Sequence, residues 1–159
     1  MAKKSHDFAP IWRFLFGVFF AVYVVILLGL LFNREVQWKE GVSYLKQLKR
    51  HVNLDPFFTI GNYWKVVRRW KLDTRFFHCI INLAGNVVLF IPIGGFLPMF
   101  WPKFRNFFRF FLTCALSICL VEVTQLLTLR GSLDVDDFIL NLFGMLVGYL
   151  LYMLFRKKR

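Results

Sequence analysis

Four stretches of about twenty residues, nearly free of charge and separated by basic segments, constrain this chain more than any other feature. A bilayer's hydrocarbon core is about 30 Å thick, so an α-helix rising about 1.5 Å per residue crosses it in roughly 20 apolar residues. The first run, 14–32, is uncharged and follows Lys3, Lys4 and Arg13. It ends in Leu31-Phe32-Asn33-Arg34 without the small-x-small pattern of a signal-peptidase site, so it reads as an uncleaved span. The second, 79–100, is interrupted by Asn82, Asn86, Pro92 and Gly94-Gly95, which predicts a kinked membrane helix. The third, 107–129, carries Glu122 and Gln125; the fourth, 136–155, is closed by Arg156 to Arg159. The expected fold is all-α: one polytopic membrane domain over 1–159, with a polar, basic loop over 33–77 between the first two spans.

Composition supports that class. AVILMFWYC supply 58% of the residues, whereas a soluble domain is about 45–50% apolar even with Gly counted. A soluble core of this size could not cover so much apolar surface, which excludes a soluble enzyme, a disordered tail and a nucleic-acid-binding module. Lys and Arg number 21 against 9 Asp and Glu, a net charge of +12. In a soluble chain that would point to nucleic acid. Here the basic residues lie between apolar runs, so they point to anionic head groups and topology signals, and no nucleic-acid partner is expected.

The loop between the first two spans holds ten Lys or Arg. Val42, Leu45, Leu48 and Val52 recur there at helical spacing among Lys46, Lys49 and Arg50, which predicts a short amphipathic helix on the head groups. A basic-aromatic piece follows from Tyr63 to Trp70, either a solvated interfacial loop or a direct contact for an anionic lipid. The total charge count does not decide orientation. Both tails and the short loop with Lys103, Arg105 and Arg109 agree on cytoplasmic termini, and short flanking segments weigh more than a long loop. Cys79, Cys114 and Cys119 read as small apolar side chains, with neither disulfide nor metal spacing. His6, His51 and His78 do not cluster in sequence.

The informative residues are the polar ones inside the spans. An ionisable group in a bilayer costs roughly 2.5–3.5 kcal/mol on insertion scales, so each needs a partner or a purpose. Glu122 and Gln125 share a helix face near the end of the third span. Asp134, Asp137, Asn141, Gly144 and Gly148 recur at intervals of 3, 4, 3 and 4 and form one stripe. Asn82 and Asn86 are one turn apart early in the second span. Chain direction brings all of these groups to one depth near one membrane face, whichever way the protein is inserted. Arg130, in the turn before Asp134, is the expected countercharge, and the glycines allow close helix approach. Two readings stay open: a polar network locking three helices, or a site for a head group, a proton or a cation held by Asp134 and Asp137. Asp134, Asp136 and Asp137 also stand at a helix N-terminus, so capping explains part of the pattern.

The series Asn82-x-x-Gly85-Asn86-x-x-x-Phe90-x-Pro92-x-Gly94, Glu122-x-x-Gln125 and Arg130-x-x-x-Asp134-x-Asp136-Asp137-x-x-x-Asn141-x-x-Gly144-x-x-x-Gly148-Tyr149 resembles the VanZ-like family of bacterial membrane proteins. Asn53-Leu54-Asp55-Pro56-Phe57 is similar to that family's Asn-Leu-x-Pro-Phe signature. The resemblance implies a multi-pass protein of the bacterial cytoplasmic membrane, associated with resistance to teicoplanin-type lipoglycopeptides. The motif residues it carries over are Asn82, Asn86, Glu122, Gln125, Arg130, Asp134, Asp137 and Asn141, and their expected role as binding residues is an inference from their convergence at one depth. The expected partners are membrane lipids, anionic or lipid-linked wall precursors among them, with a second copy of the chain as a further partner. No cofactor or resident metal is expected, and nothing resembles a loop that cradles phosphate or coenzyme A. Enzymatic activity is left open, with the balance against it. The alternatives are an intramembrane enzyme on a lipid head group, using Glu122, Asp134 and Asp137 as catalytic candidates, and a small transporter or scramblase.

Overall fold

The computed structural model describes residues 10–33, 36–69 and 71–156. The readings on Lys3, Lys4, His6, Arg34, Trp70 and Lys157 to Arg159 therefore lie outside the described residues. The chain divides into two compact units, Met1–Arg34 and Glu35–Arg159. The first is a single helix, α1 (Pro10–Phe32), which contains the uncharged run Phe14–Phe32. Proline suits the start of a helix because its fixed φ is already helical and its missing N–H is unpaired there in any residue.

The second unit holds the other three helical segments long and apolar enough to cross a membrane: Thr74–Phe100, Phe107–Leu127 and Val135–Phe155. Thr74–Phe100 is two helices, α4 (Thr74–Val88) and α5 (Ile91–Phe100). The break at Leu89 and Phe90 follows from Pro92, which has no N–H to donate and whose ring would meet the carbonyl of Val88. α4 begins five residues before the apolar run suggests because the Asp73 carboxylate accepts from the Phe76 N–H at 2.9 Å and caps it. A 3₁₀ turn, Pro102–Arg105, leads into α6 (Phe107–Leu127), capped by Asn106, whose side-chain oxygen accepts from the Arg109 N–H at 3.1 Å. α7 (Val135–Phe155) closes the bundle.

Packing centres on α7, and glycine sets its closest approaches. A Cβ on Gly94 of α5 would overlap the Met145 carbonyl, and one on Gly148 would overlap the Ile91 carbonyl. A Cβ on Gly144 would overlap the Val87 carbonyl. The glycine stripe of α7 is thus the seam against α4 and α5, where backbones meet with no side chain between them. On α6, Phe110, Cys114 and Ile118 are buried at four-residue spacing, and Phe110 stacks on Tyr149 with centroids 4.4 Å apart. Beyond that layer, the Tyr149 hydroxyl donates to the Arg105 carbonyl at 2.8 Å, and Arg105 Nε donates to the Tyr152 hydroxyl at 3.1 Å.

The segment expected to be a loop is largely folded. It forms α2 (Tyr44–Arg50), β1 (Val52–Asn53) and α3 (Phe58–Arg68). α2 holds Leu45 and Leu48 of the predicted amphipathic stretch, while Val42 precedes the helix and Val52 belongs to β1, and the helix does not bury that apolar stripe against the protein. Leu45 is 69% exposed, while Gln47 is 1% exposed. The Gln47 amide accepts from the Lys39 N–H at 2.8 Å and donates to the Val42 carbonyl at 3.0 Å. β1 pairs in parallel with β2 (Leu133–Asp134), Val52 opposite Leu133 and Asn53 opposite Asp134. All three cysteines are free thiols.

Candidate functional site

The start of α7 is where the folded segment between the first two spans is anchored. Asp134 is its N-cap: one carboxylate oxygen accepts from the Asp136 N–H at 2.9 Å. The other accepts from the Thr59 hydroxyl at 2.7 Å and from Asn53 Nδ2 at 3.3 Å. Asn53 also donates to Thr59 at 3.1 Å, and its side-chain oxygen takes the Asp55 N–H at 3.2 Å. That last bond is an Asx turn, and it aims the chain into Pro56-Phe57.

Asp136 does for α3 what Asp134 does for α7. It is fully buried, and its two oxygens accept from the backbone N–H groups of Phe57 at 2.6 Å and Ile60 at 3.0 Å. Phe57 has φ of 65°, left-handed backbone that a bulky residue rarely adopts. The positive φ turns the Phe57 N–H toward Asp136, and the charge-assisted bond offsets the strain. The Asn53 to Phe57 motif is therefore a docking device. It joins the basic segment to two carboxylates at the mouth of the fourth span.

The remaining predicted residues have different surroundings. Asn86 of α4 donates to Asp137 Oδ1 at 2.6 Å, a direct link between α4 and α7. Glu122, 5% exposed near the end of α6, accepts from the Asp134 N–H at 3.4 Å. Asn82 turns toward α3, where it donates to the Tyr63 hydroxyl at 3.1 Å and lies 3.4 Å from His78 Nε2. Gln125 is buried, its carbonyl accepts from the Arg130 N–H at 3.0 Å, and its side chain packs where a Cβ on Gly131 would stand. Arg130 is half-buried in that turn. Asn141 lies one turn below Asp137, 2% exposed, and its side-chain oxygen has no hydrogen-bond partner among the described residues.

Asp136, Thr59 and Tyr63 are not among the site residues expected from the sequence, where Asp136 reads as part of a helix cap, Tyr63 as part of the basic-aromatic interfacial piece, and Thr59 has no role. Asp136 had a signal, since a carboxylate at the second position of a helix next to an Asx-Pro motif can cap a neighbour; Thr59 and Tyr63 had none. Among the described residues, no group of three or more His, Cys, Asp or Glu has an arrangement that could hold a metal ion. Asp134 already has three donors from the chain, which leaves the pair Asp134 and Asp137 poorly suited to a cation. Tyr63 stands outside the spans. Burial pushes its phenol above the usual range, and the negative charge of Asp137 adds to the effect.

The VanZ/LLP1 family model matches residues 19–156, which extends from within the first span to the last described residue. No curated protein and no solved structure matches the chain. With four helices suited to crossing a membrane and a match over nearly its whole length, this chain is a membrane protein of the VanZ/LLP1 family, a family linked to glycopeptide resistance.

Proposed function

We propose that the protein modulates the bacterial cell envelope by engaging a lipid or lipid-linked wall component, and so raises resistance to teicoplanin-type lipoglycopeptides. One observation carries this reading: Asn53, Phe57 and Ile60 fasten the basic segment to Asp134 and Asp136 at the end of the bundle. That attachment holds α3 at the mouth of the spans, where Phe57 and Phe58 at its start and Trp64 near its end are more than half exposed, with Lys65 and Arg68 in its last turn. Exposed aromatics beside cations suit the head-group layer. In this reading the termini are cytoplasmic, the membrane is the bacterial cytoplasmic membrane, and α3 faces the wall.

The three donors already on Asp134 favour a binding role over catalysis for that carboxylate, because most of its acceptor sites are taken by the chain's own N–H and O–H groups. Expression in a susceptible Gram-positive host tests the function. The inhibitory concentration of teicoplanin rises several-fold, while that of vancomycin, which has no lipid tail, changes little. Unchanged teicoplanin sensitivity with the protein present in the membrane removes the reading. Cysteines placed singly between Arg130 and Asp134 and probed with an impermeant thiol reagent give the sidedness. Labelling from outside supports a wall-facing site, and labelling only after permeabilisation overturns it.

A further inference from the structure

A second cluster of charge lies away from the α7 carboxylates. Arg69 follows α3, Lys71 lies in the connection to α4, and Arg75 sits in the first turn of α4. With Val66 and Asp73 they line a cleft of about 200 Å³. Val66 and Arg75 also line a second cleft of about 450 Å³, with Asn62, Tyr63, His78 and Cys79 among its walls, so the two adjoin. The smaller part is ringed by cations; the larger is mostly apolar.

Three features point to an anionic ligand. Among the described residues, the side chains of Arg69, Lys71 and Arg75 make no hydrogen bond or ion pair. The one carboxylate in the cleft, Asp73, is already committed to the Phe76 N–H as the cap of α4. Three like charges around a small cleft repel one another, and Arg75 lies at the positive end of the α4 dipole, where a cation is disfavoured. The single Asp73 carboxylate offsets only one of the three positive charges. The position is equally telling: the second candidate span begins at Thr74, so the cleft lies at one end of that apolar helical segment.

We propose that this cleft binds the phosphomonoester head group of an anionic membrane lipid, with Arg69, Lys71 and Arg75 on the phosphate oxygens and the glycerol end of the lipid in the larger apolar part. A phosphomonoester carries about −1.5 to −2 charges near neutral pH and three acceptor oxygens. It therefore matches three cations opposed by one carboxylate. A phosphodiester, with a single charge, leaves part of the positive charge uncompensated. The proposal deepens the lipid-engaging function above and rests on it.

The test uses the purified full chain in phosphatidylcholine micelles, titrated with dioleoyl phosphatidic acid, dioleoyl phosphatidylglycerol or inorganic phosphate and followed by tryptophan fluorescence. Phosphatidic acid binds at least tenfold more tightly than phosphatidylglycerol, and inorganic phosphate fails to compete. At about 1 kcal/mol per cation near the head groups, the triple variant R69Q/K71Q/R75Q loses roughly a hundredfold in affinity for phosphatidic acid. The charge-matched variant K46Q/K49Q/R50Q on α2 keeps wild-type affinity. The three cleft side chains make no hydrogen bond or ion pair among the described residues, so the triple variant keeps the wild-type melting midpoint. Should it unfold, Arg75→Gln alone decides, with a loss of about fivefold. Equal binding of the two lipids, competition by inorganic phosphate, or equal losses in the two triple variants each overturns the cleft assignment and leaves the wider function standing. Intact phosphatidic acid binding with no change in teicoplanin sensitivity does the reverse.

Discussion

The carboxylates at the start of α7 and the cations between α3 and α4 belong to adjoining parts of one unit, yet the fold treats them in opposite ways. Asp134 and Asp136 together accept five hydrogen bonds from Asn53, Thr59, Phe57, Ile60 and Asp136 itself. Among the described residues, the side chains of Arg69, Lys71 and Arg75 have no hydrogen-bond or ion-pair partner. Buried charge supplied with internal donors is architecture, because removing it strands those donors away from water. Exposed charge gathered around a cleft and left without partners contributes little to folding and is available to a ligand. The part of the sequence that looks most like an active site thus behaves in good measure as a clamp, and the part that looks like a solvated loop holds the open site.

Mutation separates the two, most sharply at Asp136. Asp136→Asn keeps the volume but replaces one acceptor oxygen with an NH₂ that faces a backbone N–H. Stranding a buried donor costs about 1–3 kcal/mol, and the new donor-donor clash adds to it, so a loss of about 2–4 kcal/mol is expected. A fall in the melting midpoint of the purified chain measures it, together with faster proteolysis within residues 54–60. Arg75→Gln, the counterpart in the cleft, leaves the midpoint where it was. If the two variants melt together, the contrast between clamp and open cleft is wrong.

The next effect lies at the seam that supports the clamp from below. Gly148→Ala drives a methyl group into the Ile91 carbonyl and the Gly95 backbone, neither of which can swing aside as a side chain could. A cost of about 1–3 kcal/mol follows from overpacking. Gly85→Ala is the internal control, since nothing stands within 4 Å of the added Cβ, and it stabilises α4 by up to about 1 kcal/mol through helix propensity. Asn86→Ala follows in size: it removes the donor to Asp137 at 2.6 Å, for about 1–3 kcal/mol. Thermal midpoints for the three variants in one micelle condition rank them.

Much of this was legible in the sequence, and the rest was hidden for physical reasons. The four spans could be read because each is a long run with one property, and the glycine stripe because spacing on a helix fixes direction. Asn86 and Asp137 could be brought together because helix direction sets depth. The pairing of Asn53 with Asp134 could not be, since a two-residue strand has no period to detect and its partner lies 81 positions away. Nor was α3 readable. Gly61 and Asn62 are poor helix formers, and the helix exists because Asp136, from a distant segment, supplies the acceptor for its first N–H groups. The orphaned oxygen of Asn141 depends on what packs around it, which composition does not encode.

The smallest effect tests whether the two regions communicate. Tyr63 lines the apolar part of the cleft, accepts from Asn82, and feels the charge of Asp137 next to the clamp. Burial first, and that charge second, hold its phenol above the ordinary value of 10. A phenol raised in the folded state favours the neutral form there, so its contribution to stability is complete below pH 10. It is lost as pH climbs through the raised value, and nothing changes near neutrality. Tyr63→Phe removes one hydrogen bond, for about 0.5–1.5 kcal/mol at neutral pH. In an alkaline ultraviolet titration the difference between wild type and Tyr63→Phe shows one tyrosine ionising later than a free phenol. Removing the charge next to the clamp with Asp137→Asn brings that ionisation to lower pH. If Asp137→Asn leaves the titration unmoved, the acidic end of α7 and the basic cleft are electrostatically separate, and a ligand in one has no means of sensing the other through Tyr63.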